Sequence, residues 1–158
     1  MNNFEILVKR LNELKKTIST MESCTGGYLA NSITNINDSS DIFKFGAVTY
    51  SNEYKIKMGV DSEVIYRYTV YSEETAIEMS EAISKFTNSD YSVGITGQLN
   101  KQDDDNPYGE VGQVFISIYE KDTETHNTFI IEANKTTREE NKQLIVDFVC
   151  EKLLEIIQ

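Results

Sequence analysis

Thr17-Ile18-Ser19-Thr20-Met21 is a short, alternating, partly β-branched stretch, and Glu22-Ser23-Cys24-Thr25-Gly26-Gly27 follows it directly. A strand that runs through a glycine-bearing turn into a helix has this pattern, and here the helix extends to about Ile33. Upstream, Phe4, Leu7, Leu11 and Leu14 recur at spacings of three and four, which predicts an amphipathic helix. Downstream, Phe43 to Tyr50 is rich in Phe, Val and Thr and reads as a strand, and Asn52 to Lys57 reads as a short helical turn closed by Gly59. Ser72, with Glu73 and Glu74 behind it, is an N-cap with acids in the first turn, and its helix carries Ala76, Ile77, Ile83 and Phe86. A strand at Tyr91 to Thr96 leads into a polar loop from Gly97 to Gly109. Val111 to Tyr119 and Asn127 to Glu132 are close enough in sequence to form an antiparallel hairpin. The capping box Thr137-Arg138-Glu139-Glu140 opens a last helix that sets Leu144, Ile145, Phe148, Val149 and Leu153 on one side. Alternating helices and strands that end in a hairpin predict one domain over residues 1–158, a three-layer α/β/α arrangement around a mixed sheet.

Composition bounds the function. At 158 residues the chain fits one domain, and with 39% apolar residues it can bury a sizeable core. No apolar run approaches the roughly 20 residues a membrane helix needs, and Met1-Asn2-Asn3-Phe4-Glu5 lacks the basic and apolar regions of a secretory signal. Cys24 and Cys150 form no disulfide framework pattern, so a cytoplasmic location is expected. The net charge of −11 opposes binding to nucleic acid. It does not oppose a small anion held by local N–H groups and a few cations.

The turn at Ser23 carries the chemistry. The first turn of a helix has unsatisfied N–H groups, and Gly26 and Gly27 remove the Cβ atoms that would keep a ligand from the backbone. Such a turn can hold a phosphate, or a nucleophile beside an oxyanion site. His126, the sole histidine, falls in the polar hairpin region, which argues against a serine–histidine–acid triad. A nucleophilic Ser23 would then need a lysine, or a tyrosine–lysine pair, as its base. Cys24 is a rival nucleophile, because a helix N-terminus lowers a thiol's pKa. No Cys-x-x-Cys or His-x-x-x-His spacing is present, and Asp103-Asp104-Asp105 reads as a solvated loop, so no metal is expected.

Glu22-Ser23-Cys24-Thr25-Gly26-Gly27, followed by Gly46-Ala47-Val48-Thr49-Tyr50-Ser51-Asn52-Glu53-Tyr54-Lys55 and Gly59-Val60, resembles the C-terminal domain of the competence-damage protein CinA. The resemblance continues through Val70-Tyr71-Ser72-Glu73-Glu74, Gly94-Ile95-Thr96-Gly97 and Val111-Gly112 to the last helix. That family includes nicotinamide-nucleotide amidohydrolases, which deamidate nicotinamide mononucleotide without a metal or organic cofactor. The resemblance therefore implies Ser23 as nucleophile, Lys55 as the group that takes and returns the proton, and Tyr50 as a relay or orienting hydroxyl. It further implies substrate contacts at Thr25, Gly26, Gly27, Asn52, Thr96 and Gly97, a phosphate contact at Arg138, and a homo-oligomer. Two stretches depart from the family pattern. Gln98 to Pro107 is acidic where a glycine- and proline-rich loop is usual, and Asn134-Lys135-Thr136-Thr137-Arg138 stands where Gly-Asp-Arg is expected. These departures keep two further functions in view: a non-catalytic module that binds a nucleotide or a partner, and a hydrolase of a different small amide. Without the resemblance, Tyr50, Lys55 and Arg138 also read as a strand end, a surface lysine and an exposed capping-box residue.

Overall fold

All five residues of β1 (Ile18–Glu22) are buried, as befits a strand with hydrogen-bonded neighbours on both edges and helices on both faces. The computed structural model, which describes residues 1–158, places β1 inside a five-stranded sheet of order β2-β1-β3-β4-β5. β2 (Phe43–Val48) and β3 (Tyr91–Gly97) run parallel to β1, while β4 (Gln113–Glu120) and β5 (Thr125–Glu132) form the expected hairpin, antiparallel to β3.

The two faces of the sheet are packed differently. Ile18, Val93, Ile95, Val114, Ile116 and Ile118 meet α1 (Asn3–Leu14), α2 (Tyr28–Thr34) and α6 (Arg138–Ile156) in one apolar cluster of 22 residues. The other face carries α5 (Glu73–Thr87) over a cluster of five residues that includes Met21 and Met79. Serines fill the rest of that interface: the Ser92 hydroxyl donates to the Ser80 carbonyl, and the Ser80 and Ser117 hydroxyls lie 2.8 Å apart. A Cβ on Gly94 would sit 2.5 Å from the Ala76 carbonyl oxygen, so a glycine here lets α5 lie directly on the sheet. These are the three expected layers.

Differences from the expected elements have local causes. β2 stops at Val48, because its partner β1 turns away after the Glu22–Val48 pair. Thr49 and Tyr50 therefore leave the sheet. β4 starts at Gln113, since Gly112 (φ 89°) makes a turn just before it. α3 (Asn52–Lys57) and its closing Gly59 appear as expected, but the helix α4 (Ser62–Tyr68) was not foreseen; Asp61 caps it by accepting from the Glu63 N–H. A 3-10 turn at Ser39–Asp41 is a second addition. Leu14 and Phe86, read as core, are 40% and 65% exposed, and Phe86 packs on Phe45 at the surface instead. No helix is long and apolar enough to cross a membrane.

The topology positions the site. From β1 the chain passes through α2 on one face to β2 at the sheet edge, then through α5 on the other face to β3, on β1's opposite side. Connections leaving β1 and entering β3 thus diverge to opposite faces, which opens a crevice beyond their carboxyl ends. In open α/β sheets ligands bind at such switch points.

Candidate active site

Ser23 stands at that crevice, as the first residue after β1, and its N–H donates to the Ile95 carbonyl of β3. Lys55 reaches it from α3. This helix is six residues long, is capped by Ser51, and has one buried side chain, that of Lys55. Lys55 is 2% exposed and Ser23 7% exposed. The Nζ of Lys55 lies 3.0 Å from Ser23 Oγ and 2.8 Å from the Thr49 carbonyl oxygen. Thr49 supplies that carbonyl because it has just left the sheet, while its own N–H is held by the Glu22 carbonyl.

Both acceptors of Lys55 are neutral and no carboxylate pairs with it. Burial therefore dominates, and it lowers the pKa of Lys55 from 10.5 to about 8, against smaller opposing effects of Cys24 and Asp103. A neutral amine at this spot can accept the Ser23 proton through its lone pair while an N–H donates to Thr49. The surface-lysine reading of Lys55 is excluded by its burial.

Cys24 does not have the thiolate character that its place before a helix suggested. Its side chain is in the core, and burial, assisted by the Glu22 charge, pushes its pKa up to about 12. Neither the Cys24 nor the Thr25 N–H donates to a backbone carbonyl, whereas the Gly26 N–H donates to the Ser23 carbonyl. His126 lies on β5 opposite Tyr119, a residue that pairs with Ser92 and through it with Ser19 of β1. That is the far end of the sheet from Ser23. Its ring stacks on Tyr119 and is half-buried, with Nε2 3.4 Å from Glu81.

A cavity of about 780 Å³ opens above the pair. Of the residues expected at the site, Ser23, Tyr50, Asn52, Gly97 and Arg138 line it. Tyr50 is 63% exposed, and its hydroxyl accepts from Arg138 Nη2 at 3.0 Å. Arg138 Nη1 donates to the Leu99 carbonyl at 2.6 Å, so the guanidinium is aimed by the loop after β3 and by Tyr50 together. Asn52 donates to Asn106 at 2.9 Å. On Gly97, a Cβ would come within 2.8 Å of the Gln113 carbonyl oxygen.

Thr25, Gly26, Gly27 and Thr96 do not line it. The helix-start donors expected to face a ligand are instead directed into Glu22. Its buried carboxylate accepts from the Thr25 hydroxyl at 2.6 Å, the Leu29 N–H at 2.8 Å and the Ala30 N–H at 3.0 Å. The Gly26 and Gly27 backbones need positive φ, 59° and 98°, and Gly27 packs against Val48. The hydroxyl of Thr96 donates to the Val70 carbonyl.

Two further residues were not anticipated. Tyr71, just ahead of α5, donates its hydroxyl to Asp103 at 2.6 Å, and both line the cavity. Asp103 also accepts from the Asn106 amide and the Asp105 N–H, while its own N–H donates to Gln98. Thus Asp103 is the partly buried anchor of the acidic loop, while Asp104 and Asp105 are exposed, as the solvated-loop reading expected. No group of three or more His, Cys, Asp or Glu side chains is arranged to hold a metal ion.

The fold and the site together define a class: a three-layer α/β/α domain with a buried serine–lysine pair at the carboxyl end of its central parallel strands. The chain belongs to the CinA C-terminal domain family, which matches residues 2–157. It is 38% identical over 122 residues to a CinA-like protein of Thermotoga neapolitana, covering 77% of this chain and 30% of that protein. A CinA-like protein of Endomicrobium trichonymphae is 38% identical over 151 residues, covering 91% and 34% respectively. The chain thus spans about a third of the length of these curated relatives. Among solved structures, a CinA superfamily protein of Escherichia coli superposes with a TM-score of 0.88 at 28% identity, covering 98% of this chain and 88% of that one. A competence/damage inducible protein of Agrobacterium tumefaciens gives 0.86 at 26% identity, with 100% and 98% covered.

Proposed function

We propose that this chain hydrolyses the carboxamide of a pyridine nucleotide, converting nicotinamide mononucleotide and water into nicotinic acid mononucleotide and ammonia. The observation that carries the reading is the 3.0 Å contact between Lys55 Nζ and Ser23 Oγ, made by an amine whose burial brings its pKa to about 8. At pH 7 roughly a tenth of such a lysine is neutral, a working fraction for a general base.

In this mechanism neutral Lys55 takes the Ser23 proton as Oγ bonds to the carboxamide carbon. The carbonyl π electrons move onto oxygen, for which the N–H of Cys24, the cavity-lining residue next to Ser23, is a candidate donor. Protonated Lys55 then gives its proton to the departing amide nitrogen; the C–N bond breaks, ammonia leaves, and an ester to Ser23 remains. Water attacks that ester with Lys55 again accepting a proton, and the proton returns to Ser23 as the acid is released. Arg138, held by Tyr50 and Leu99, presents its forked donors to the nucleotide phosphate.

Ammonia release from nicotinamide mononucleotide by the wild type and by Ser23→Ala tests this directly. Turnover should occur in the wild type and vanish in the variant while the fold is retained. Undiminished turnover by Ser23→Ala excludes Ser23 as nucleophile. A wild type that binds the nucleotide without releasing ammonia would favour the binding-module alternative, for which the acidic loop lining the cavity is the specific observation. Ammonia release from another carboxamide alone would identify a hydrolase of different specificity.

A further inference from the structure

Two oppositely charged side chains, Asp103 and Arg138, line the same cavity, and neither has an ionic partner. Arg138 is held by a carbonyl and a phenol, and Asp103 by a phenol, an amide and a backbone N–H. The partners of Arg138 come from two other segments of the cavity wall, those of Asp103 from Tyr71 and from its own loop, and none of them is a charged group. In a chain with 26 acidic residues, an arginine beside a loop of three aspartates that pairs with none of them is held apart from them by the architecture. Lys101, on the same loop, makes no ion pair with Asp103 either.

We propose that Asp103, held by Tyr71, is a specificity residue that favours ligands carrying a positive charge, so that the cavity takes a zwitterion with its anionic group on Arg138. The inference rests on the pyridine-nucleotide reading and deepens it. The oxidised pyridinium ring is cationic, while the reduced dihydropyridine ring bears the same carboxamide, ribose and phosphate without that charge. Asp103 is suited to the task because the Tyr71 hydrogen bond, reinforced by Asn106, lowers its pKa and keeps it a carboxylate. Its field also reaches Lys55, where it opposes the effect of burial, so the loop charge is felt at the reacting end of the cavity.

The test is equilibrium binding of nicotinamide mononucleotide and of its reduced form to Ser23→Ala protein, where neither is consumed. The oxidised form should bind about fivefold more tightly, the scale of one partly solvated charge pair. Adding Asp103→Asn, which keeps the size and the hydrogen bond from Tyr71, should bring the two affinities within twofold by weakening only the cation. Tyr71→Phe leaves the carboxylate but frees it, and should reduce the preference in part. Arg138→Ala should weaken both forms alike. Thermal denaturation of each variant separates a folding defect from a binding one. Equal affinities in the Ser23→Ala parent, no measurable binding of either form, or an unchanged preference after Asp103→Asn each overturn the proposal. Ammonia release by the wild type is a separate measurement, so failure of the amidohydrolase reading is distinguishable from failure of this one.

Discussion

Glu22, the last residue of β1, and Lys55 of α3, which meets Ser23 just beyond it, are both buried ionisable groups, and they are compensated in opposite ways. Glu22 receives three hydrogen-bond donors, two of them backbone N–H groups from the start of α2. The ends of helices favour this arrangement, since N-terminal N–H groups and the helix dipole both stabilise an anion. Lys55 receives two neutral oxygens and no counter-ion. The first group ties the turn to the helix that follows. The second is held in a form that would readily give up its proton. Charge burial is thus structural where it is matched and chemical where it is left partly unmatched.

The largest effect that tests this comparison is on turnover. Lys55→Met, similar in length but unable to take a proton, should lower kcat for ammonia release by about a thousandfold or more if the lysine is the base. A loss of less than tenfold would show that Lys55 only supports the turn. The matched charge should behave in the reverse manner. Glu22→Gln leaves a buried N–H group facing N–H donors and should cost about 2–4 kcal/mol in urea unfolding, with turnover per folded molecule changed much less. If Glu22→Gln proved neutral in stability and inactive in turnover, the division of roles would be reversed.

These two groups also show how far the sequence could be read. The strand, turn and helix around Ser23 were legible because each rests on local signals: alternation before the turn, a glycine pair within it, apolar spacing after it. The cap at Ser72 and the capping box at Thr137 were legible for the same reason. Alternation along β1 also puts Ile18, Thr20 and Glu22 on one face, so the inward direction of Glu22 was available from spacing. What was not available is which donors it would meet, and hence that the helix start faces a side chain of its own chain. The burial of Lys55 was opaque for a stronger reason. It depends on β1 turning off at Ser23, on β2 ending with it, and on a six-residue helix folding back, and none of these is written near position 55. The Tyr71–Asp103 contact spans 32 residues and has no local signal at all.

A smaller effect lies in the pH dependence. Turnover governed by neutral Lys55 should rise with pH to a plateau, with its midpoint near the lysine's pKa of about 8. Asp103 favours the protonated amine, so Asp103→Asn should move that rising limb to lower pH. A limb that stays in place would mean that the loop charge does not reach the pair. A move to higher pH would contradict the sign of the interaction.

The smallest effect is on stability, and it isolates what the unmatched charge costs. Unfolded, Lys55 titrates near 10.5; folded, it titrates at about 8. Below pH 8 both states carry the proton, and the native state bears the whole cost of a buried ammonium, about 3 kcal/mol from that difference. Between pH 8 and 10.5 the native state sheds its proton first, so this group's contribution to stability rises with pH, and above 10.5 the cost is gone. Lys55→Met removes the charge but leaves the Thr49 carbonyl and the Ser23 hydroxyl without a partner, which costs about 1–2 kcal/mol. The variant should therefore be about 1 kcal/mol more stable than the wild type at pH 7 and less stable than it at pH 10.5. Urea midpoints at the two pH values read the crossover. A difference between the proteins that does not change between pH 7 and 10.5 would mean that the native lysine keeps its proton as long as the unfolded one does, and burial would then not be what tunes it.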